Sequence, residues 1–133
     1  MVAACVTPGL DGFSTTMIEV GDATLTVAVA DTDDERRQGL RGVEELPRGI
    51  DGMLFVFEEP RPATFGMRDA LIPLDIWWFD EDGSLLGSTT MTPCPTEPCA
   101  VYASPAPIAW ALETPRGEHS FPPGTVLSSG DSG

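Results

Sequence analysis

The sequence predicts a mainly β protein of the α+β class with one α-helix. Its 133 residues include fourteen glycines and thirteen prolines, which divide the chain into the short segments typical of β-rich domains. The segment ATLTVAVA at residues 23–30 alternates as a half-buried strand does. The acidic segment that begins DTDDERR at residue 31 has instead the pattern of a helix N-terminus.

The first third of the chain is expected to hold a leader, two strands and the helix. Residues 1–13 have the composition of a flexible leader. The segments TTMIEVG and ATLTVAVA then form two strands around a turn at Gly21 and Asp22. Thr32 and Glu35 form a capping box, so we predict a helix over about 32–44 that ends before Pro47.

The remainder is expected to be strands and turns within one domain that spans residues 14–127. The apolar run GMLFVFEE at 52–59 predicts a buried strand, because turn residues bound it. DIWWFDEDGSLLGSTTM at 75–91 predicts a hairpin around Asp82 and Gly83. Further strands are expected at ATFGM, over 108–113 and near Val126, and residues 128–133 form a polar tail.

The charge of the chain excludes several classes of partner. Acidic residues number 21 against 7 basic ones, and the formal net charge is −14. Such a surface repels phosphate backbones and anionic lipid head groups, so we expect no nucleic-acid partner and no direct adhesion to a membrane. No segment of the sequence is long and apolar enough to span a bilayer.

Two of the three cysteines predict a disulfide. Cys94 and Cys99 lie five positions apart in PCPTEPC, whereas thioredoxin-like redox motifs have two intervening residues. A zinc site needs four ligands and would have to recruit both Cys5 and His119, the only histidine. A disulfide that closes a proline-stiffened loop fits best, and it indicates an oxidising, extracytoplasmic compartment.

The remaining cysteine, Cys5, predicts a lipid anchor. The string Val2-Ala3-Ala4-Cys5 resembles the end of a bacterial lipoprotein signal, where the cysteine sulfur carries the lipid. The charged and apolar regions of a signal peptide are absent from this sequence. A free cysteine on a disordered terminus is the alternative. We expect membrane association only through this anchor.

Three segments in order resemble the DUF192 family, also called UPF0127, of small bacterial and archaeal proteins. They are ERRQGL…GMLFVF, then F-x-M-R-D-x-x-IPLDI-x-x-F-D-x-DG, then PC…C…YASPAP…ALE. The resemblance covers roughly residues 17–127. It implies a compact, antiparallel, β-barrel-like domain with one helix, often secreted or lipid-anchored. The family is largely uncharacterised, so the resemblance implies a fold more than a function.

The sequence departs from the family pattern at one place that bears on function. Relatives usually have a tryptophan between the positions of Phe65 and Met67, followed by lysine, asparagine and threonine. This chain has Gly66 and then Arg68, Asp69 and Ala70. If that tryptophan stacks on a ligand in relatives, this protein has lost or moved the contact.

Asp75 and Glu113 are the leading candidates for chemistry, because each lies in a strongly apolar segment. A lone carboxylate buried there needs a partner or a raised pKa. We favour structural ion pairs, with Arg68 or Arg37 as partner of Asp75. The alternative is a polar cleft that brings Arg37, Arg68, Asp75 and Glu113 together.

The aromatic residues suggest a ligand class. Trp77 and Trp78 are consecutive in a predicted strand, so their side chains must point to opposite faces. Aromatic rings beside arginines and carboxylates suit sugar binding, although ordinary packing is the simpler interpretation. The predicted ligand-binding residues are Arg37, Phe65, Met67, Arg68, Asp75, Trp78, Trp110 and Glu113.

The function predicted from these observations is an extracytoplasmic binding or accessory module for carbohydrate or another envelope component. One alternative is a small glycoside-processing enzyme with Asp75 and Glu113 as acid and base. Another is a structural envelope protein without a pocket. Met53, Met67 and Met91 suggest copper only weakly, since no histidine accompanies them. We expect no metal and no cofactor.

Overall fold

The protein is a curled β-sheet with one short helix. The computed structural model describes residue 10 and residues 12–129, and in this part of the chain it has nine strands and one helix. They are β1 (Ser14–Val20), β2 (Ala23–Ala30), α1 (Asp33–Gln38), β3 (Gly52–Arg61), β4 (Thr64–Gly66), β5 (Leu74–Phe79), β6 (Leu85–Met91), β7 (Val101–Ala103), β8 (Ile108–Pro115) and β9 (Leu127–Ser129). The predicted mainly β class is confirmed.

Seven strands form the main sheet in the order β6-β5-β8-β3-β2-β1-β9, and β4 pairs with β7 in a small second sheet. Neighbours run antiparallel except β2 and β3, which are parallel because the chain crosses over through α1 between them. The two ends of the main sheet approach each other. The Leu127 N–H donates to the Gly83 carbonyl at 2.8 Å, and the Leu85 N–H donates to the Thr125 carbonyl at 3.0 Å. The sheet is therefore a half-barrel.

Each face of the main sheet carries its own hydrophobic core. The inner face, on the concave side, buries residues that include Val27, Leu54, Phe79 and Leu112. The outer face buries another set and is covered by the segment after α1 and by the small sheet. Its members include Met53, Phe55, Leu74, Ile76 and Met91. Because side chains alternate along a strand, the two sets interleave in β3, β5 and β8.

The helix is shorter than the predicted span of 32–44. Thr32 caps it as expected, and its Oγ1 accepts the Glu35 N–H at 3.1 Å. The helix ends at Gln38 because Gly39 leaves the helical region with φ of +49°. A Cβ at Gly39 would lie 3.4 Å from the Phe55 ring, so glycine lets the chain approach the sheet.

The disulfide between Cys94 and Cys99 is confirmed, with 5.7 Å between the Cα atoms. Its loop is attached to the outer face, since the Cys94 N–H donates to the Met67 carbonyl at 3.2 Å. The prediction for Cys5 falls outside the described residues, as do most of the leader and the end of the tail. In the described part of the chain, no helix is long and apolar enough to cross a membrane.

Candidate functional site

The two candidate carboxylates lie on opposite faces of the main sheet. In the pairing of β5 with β8, Ile76 is opposite Glu113 and Asp75 is opposite Thr114. Directly opposed residues share a face, so Glu113 lies with Ile76 on the outer face and Asp75 lies on the inner face. The sheet therefore separates the two groups, and the structure does not bring Asp75 and Glu113 to one cleft.

Asp75 is buried, and its carboxylate is fully engaged in hydrogen bonds. The Thr90 hydroxyl donates to Oδ1 at 2.6 Å, and the Gly117 N–H donates to Oδ2 at 2.9 Å. These bonds tie β5 to β6 and to the turn after β8. The predicted ion pairs of Asp75 are wrong: Arg68 pairs with Glu97 on the disulfide loop, and Arg37 pairs with Asp34.

A cleft of about 430 Å³ opens on the outer face, between α1, β3, β4 and the start of β5. It contains four of the residues predicted from the sequence, namely Arg37, Phe65, Met67 and Glu113. Arg68, Asp75, Trp78 and Trp110 do not line it. Its size falls in the range of small-molecule sites.

Glu113 forms part of the wall of this cleft. The residue is only 5% exposed, and its surroundings in the cleft are apolar side chains that include Phe55, Met67 and Leu74. Among residues 10 and 12–129, no side chain or backbone group forms a hydrogen bond or ion pair with its carboxyl group. Burial raises the pKa of Glu113 from 4.5 to about 8, so the group is uncharged at neutral pH.

Four arginines line the cleft. Arg36, Arg37, Arg41 and Arg61 all line it, and they are four of the seven arginines in a chain that has no lysine. Asp33 is the one ionised acid among the lining residues, and its hydrogen bond from Arg36 lowers the pKa of Asp33 below its ordinary value. The lining residues therefore carry four cationic groups against one ionised acid, while Arg37 also pairs with Asp34 and Arg41 with Asp69 outside the cleft.

Two of these arginines are held in place by Phe57. The guanidinium carbons of Arg36 and Arg61 lie 5.2 and 4.8 Å from its ring centroid, within the range of cation–π contacts. Arg36 also donates to the Val56 carbonyl at 2.7 Å and to Asp33 at 2.7 Å. Arg61 has no carboxylate partner within the described residues, so its donors are available to a ligand.

The tryptophans serve packing rather than the cleft. Trp77 and Trp78 point to opposite faces as predicted, and both are buried. The Trp77 indole N–H donates to the Thr114 hydroxyl at 3.4 Å, whereas the Trp78 N–H has no partner in the described part of the chain. Trp110 packs half-buried against the inner core. The aromatic residues of the cleft are instead Phe55, Phe57 and Phe65.

Gly66 borders the cleft and leaves it open. A Cβ built at this position meets no heavy atom within 4 Å, so a larger side chain would have free space there. The departure from the family pattern noted above therefore falls at the edge of this cleft.

The residues that sequence reasoning missed are Arg36, Arg41, Arg61, Phe55 and Phe57. Two signals in the sequence pointed to them. Five of the seven arginines fall between positions 36 and 61, and Met53, Phe55 and Phe57 alternate along one strand face. The crossover from β2 to β3 brings this arginine-rich segment over those rings.

The residues considered as metal ligands have other roles. Met53, Met67 and Met91 are fully buried members of the outer core. Cys94 and Cys99 are joined to each other and cannot bind zinc as thiolates. Within the described residues, no group of three or more histidine, cysteine, aspartate or glutamate side chains could hold a metal ion.

Comparison with known proteins identifies the family. The profile of DUF192, described as "Uncharacterized ACR", matches residues 16–124. No curated protein matches the chain. A "putative transcription regulator" from Sinorhizobium meliloti 1021 has a similar structure, with 27% identity and a TM-score of 0.76, covering 88% of this chain and 95% of that one. So does a protein of unknown function from Novosphingobium aromaticivorans DSM 12444, with 25% identity and a TM-score of 0.77, covering 95% of this chain and 93% of that one. The chain belongs to the DUF192 family.

Proposed function

We propose that this protein is an extracytoplasmic binding module that takes an acidic carbohydrate of the cell envelope in its arginine-lined cleft. The observation that carries the proposal is the concentration of four of the seven arginines around one cavity of about 430 Å³. Cationic side chains are few in a chain with a net charge of −14, and most of them line this one cleft.

The composition of the cleft supports an anion that also has an apolar surface. Guanidinium groups bind carboxylates through paired hydrogen bonds, and Arg61 has no carboxylate partner among the described residues that would compete. Phe65 is half-buried at the same cleft and offers part of its ring to a ligand. Rings beside charged donors suit sugars that carry a carboxylate.

The competing functions fit the geometry less well. A glycosidase needs two carboxyl groups across one cleft, and Asp75 and Glu113 are on opposite faces of the sheet. A purely structural protein leaves two features of the described residues without explanation: Arg61 has no carboxylate partner, and the Glu113 carboxyl group has no hydrogen-bond partner. The net charge of −14 opposes contact of a broad protein surface with the phosphate backbone of DNA, which weighs against the regulator description of the Sinorhizobium protein, whereas an oligosaccharide would meet the arginines of the cleft alone.

Calorimetry with oligogalacturonate, a carboxylated sugar oligomer, and with a neutral cello-oligosaccharide of the same length tests the proposal. We expect binding of the acidic probe only, weakening as salt rises. Arg61→Gln should weaken it about tenfold, which corresponds to one charge-assisted hydrogen bond. Arg48→Gln is the matched control, because Arg48 is exposed and lies outside the cleft. Equal losses in both variants, or no binding at all, would overturn the proposal.

The extracytoplasmic location rests on the cysteines. The Cys94–Cys99 disulfide favours an oxidising compartment, and the lipoprotein-like string before Cys5 favours an anchor at the envelope. Fractionation of cells that express the native precursor checks this part. Cys5→Ala should move the protein from the membrane to the soluble fraction, and an unchanged distribution would contradict the anchor.

A further inference from the structure

The cleft is lined both by an uncharged acid and by cations, and no ion pair joins them among the described residues. Glu113 lies on β8, where it faces Met53 of β3 and Ile76 of β5 across the sheet. No arginine reaches its carboxyl group within the ion-pair distance. The arginines enter from α1, from the segment after it and from the end of β3.

The surroundings of Glu113 contain little that could hold it ionised. The charged groups of the cleft are Asp33, Arg36 and Arg37 on α1, Arg41 after it and Arg61 at the end of β3. The strands that flank β8, namely β3 and β5, place apolar side chains beside Glu113, among them Met53 and Ile76. The uncharged polar side chains that line the cleft are Gln38 and Thr64. Desolvation alone therefore governs the state of Glu113, and it favours the protonated form.

A protonated carboxyl group has one O–H donor and a carbonyl acceptor, which together match a hydroxyl group. A buried polar group without a partner costs free energy that a ligand can recover by supplying the missing hydrogen bonds. An ionised carboxylate in the same place would only accept, and it would repel an anionic ligand.

We infer that Glu113 is the specificity-determining residue of the cleft: it hydrogen-bonds, in its uncharged form, a hydroxyl group of an acidic sugar whose carboxylate lies against the arginines. This inference rests on the proposed function and adds a requirement to it. The ligand must present a hydroxyl edge at one end and an anion at the other. Binding must also retain one proton on the protein.

Because binding keeps a proton on Glu113, the affinity for the ligand should depend on pH, and the direction of the change can be predicted. Arginine does not titrate in the accessible range, and sugar carboxylates are ionised throughout it. The pKa of Glu113 is about 8, so binding should weaken as pH rises past that value. Between about pH 6 and about pH 9 we expect the affinity for oligogalacturonate to fall tenfold or more.

Glu113→Gln isolates this effect, because an amide of the same shape cannot lose a proton. The ratio of affinities at the two pH values should fall to about one in this variant. Glu118→Gln is the control, since Glu118 is exposed on the turn after β8 and should keep the ratio of the unmodified protein. An unchanged ratio in Glu113→Gln, or a ratio near one in the unmodified protein, would overturn the inference while the arginine results still support binding.

A second measurement keeps the inference testable if Glu113→Gln folds poorly. Carbon-13 NMR of the unmodified protein follows the Glu113 carboxyl group through its titration with and without oligogalacturonate. Bound ligand should raise the pKa of Glu113, because it hydrogen-bonds the protonated form. A lowered or unchanged pKa in the presence of a probe that binds would overturn the inference. If oligogalacturonate does not bind at all, the proposed function itself is wrong.

Discussion

Asp75 and Glu113 are two buried carboxyl groups on neighbouring strands. They lie on opposite faces of the sheet and differ in whether they have hydrogen-bond partners. Asp75 opposes Thr114 and Glu113 opposes Ile76, so they are one step apart in the β5–β8 register. On the inner face Asp75 accepts hydrogen bonds from Thr90 and Gly117. On the outer face Glu113 has no bonding partner among the described residues.

The difference teaches that burial alone does not assign a role to a carboxylate. Burial removes both carboxyl groups from water, which costs free energy. Hydrogen bonds from described residues offset this cost for Asp75 only. Asp75 therefore holds the β5–β6 hairpin against the turn at Gly117 and serves structure. Glu113 has no such compensation among the described residues and lines an open cleft, which makes it a candidate binding group.

The largest expected effect is the pH dependence that Glu113 gives to folding. The pKa of Glu113 is about 8 in the folded protein, against 4.5 as its ordinary value, which we take for the unfolded chain. The folded state thus binds the extra proton between these values, and the free energy of unfolding falls as pH rises from 4.5 to 8. The upper bound on the loss is roughly 5 kcal/mol at 1.4 kcal/mol per pKa unit.

Urea unfolding of the protein and of Glu113→Gln over this pH range measures the effect. The stability of the unmodified protein relative to the variant should decline steadily and level off above the pKa of Glu113. Glu118→Gln should show no such trend, because Glu118 is exposed. If the stability difference between the unmodified protein and Glu113→Gln stays constant within about 1 kcal/mol over this pH range, Glu113 has a partner and is satisfied as Asp75 is.

The second expected effect comes from removing Asp75. Asp75→Ala leaves the Thr90 hydroxyl and the Gly117 N–H without their acceptor, and a buried donor left unsatisfied costs about 1–3 kcal/mol. Thr90 and Gly117 are exposed, so water can replace part of the lost hydrogen bonding. We therefore expect the free energy of unfolding, measured in urea, to fall by about 2–3 kcal/mol. Thr90→Val removes one bond and should cost about half as much. A loss below about 0.5 kcal/mol for Asp75→Ala would show that these bonds do not stabilise the fold.

Local patterns in the sequence were sufficient for most of the strands. ATLTVAVA matches β2, and the apolar run that begins at Gly52 matches β3, because alternation and turn residues act within a few positions. The helix was overestimated because Gly39 leaves the helical region with a positive φ, at a point where Phe55, sixteen positions later, leaves little room for a side chain. Spacing and prolines predicted the disulfide, which is also a local feature.

The cleft could be predicted only in part, because its residues meet through pairing across the sheet. Phe65, Met67, Arg37 and Glu113 were chosen for residue type and apolar context, and all four line it. The face on which Asp75 lies depends on the β5–β8 register, which no local pattern encodes. Arg61 was missed because its role depends on the crossover that brings α1 over the end of β3.

The smallest expected effect concerns Arg68, and it separates the observed arrangement from the one that sequence proximity suggested. A buried pair of Arg68 with Asp75 would make Arg68→Met cost about 3–5 kcal/mol and would make the double variant non-additive. The structure instead pairs Arg68 with Glu97, and both side chains are more than half exposed. Solvent screens such a pair, so Arg68→Met should change the free energy of unfolding by less than about 0.5 kcal/mol.

The effect of Arg68→Met should add to that of Asp75→Ala, because the two residues share no partner. Urea unfolding of the two single variants and the double variant gives the coupling free energy directly. A coupling above about 1 kcal/mol would join Arg68 to Asp75 and would remove the contrast between Asp75, which neutral donors satisfy, and Glu113, which has no partner among the described residues.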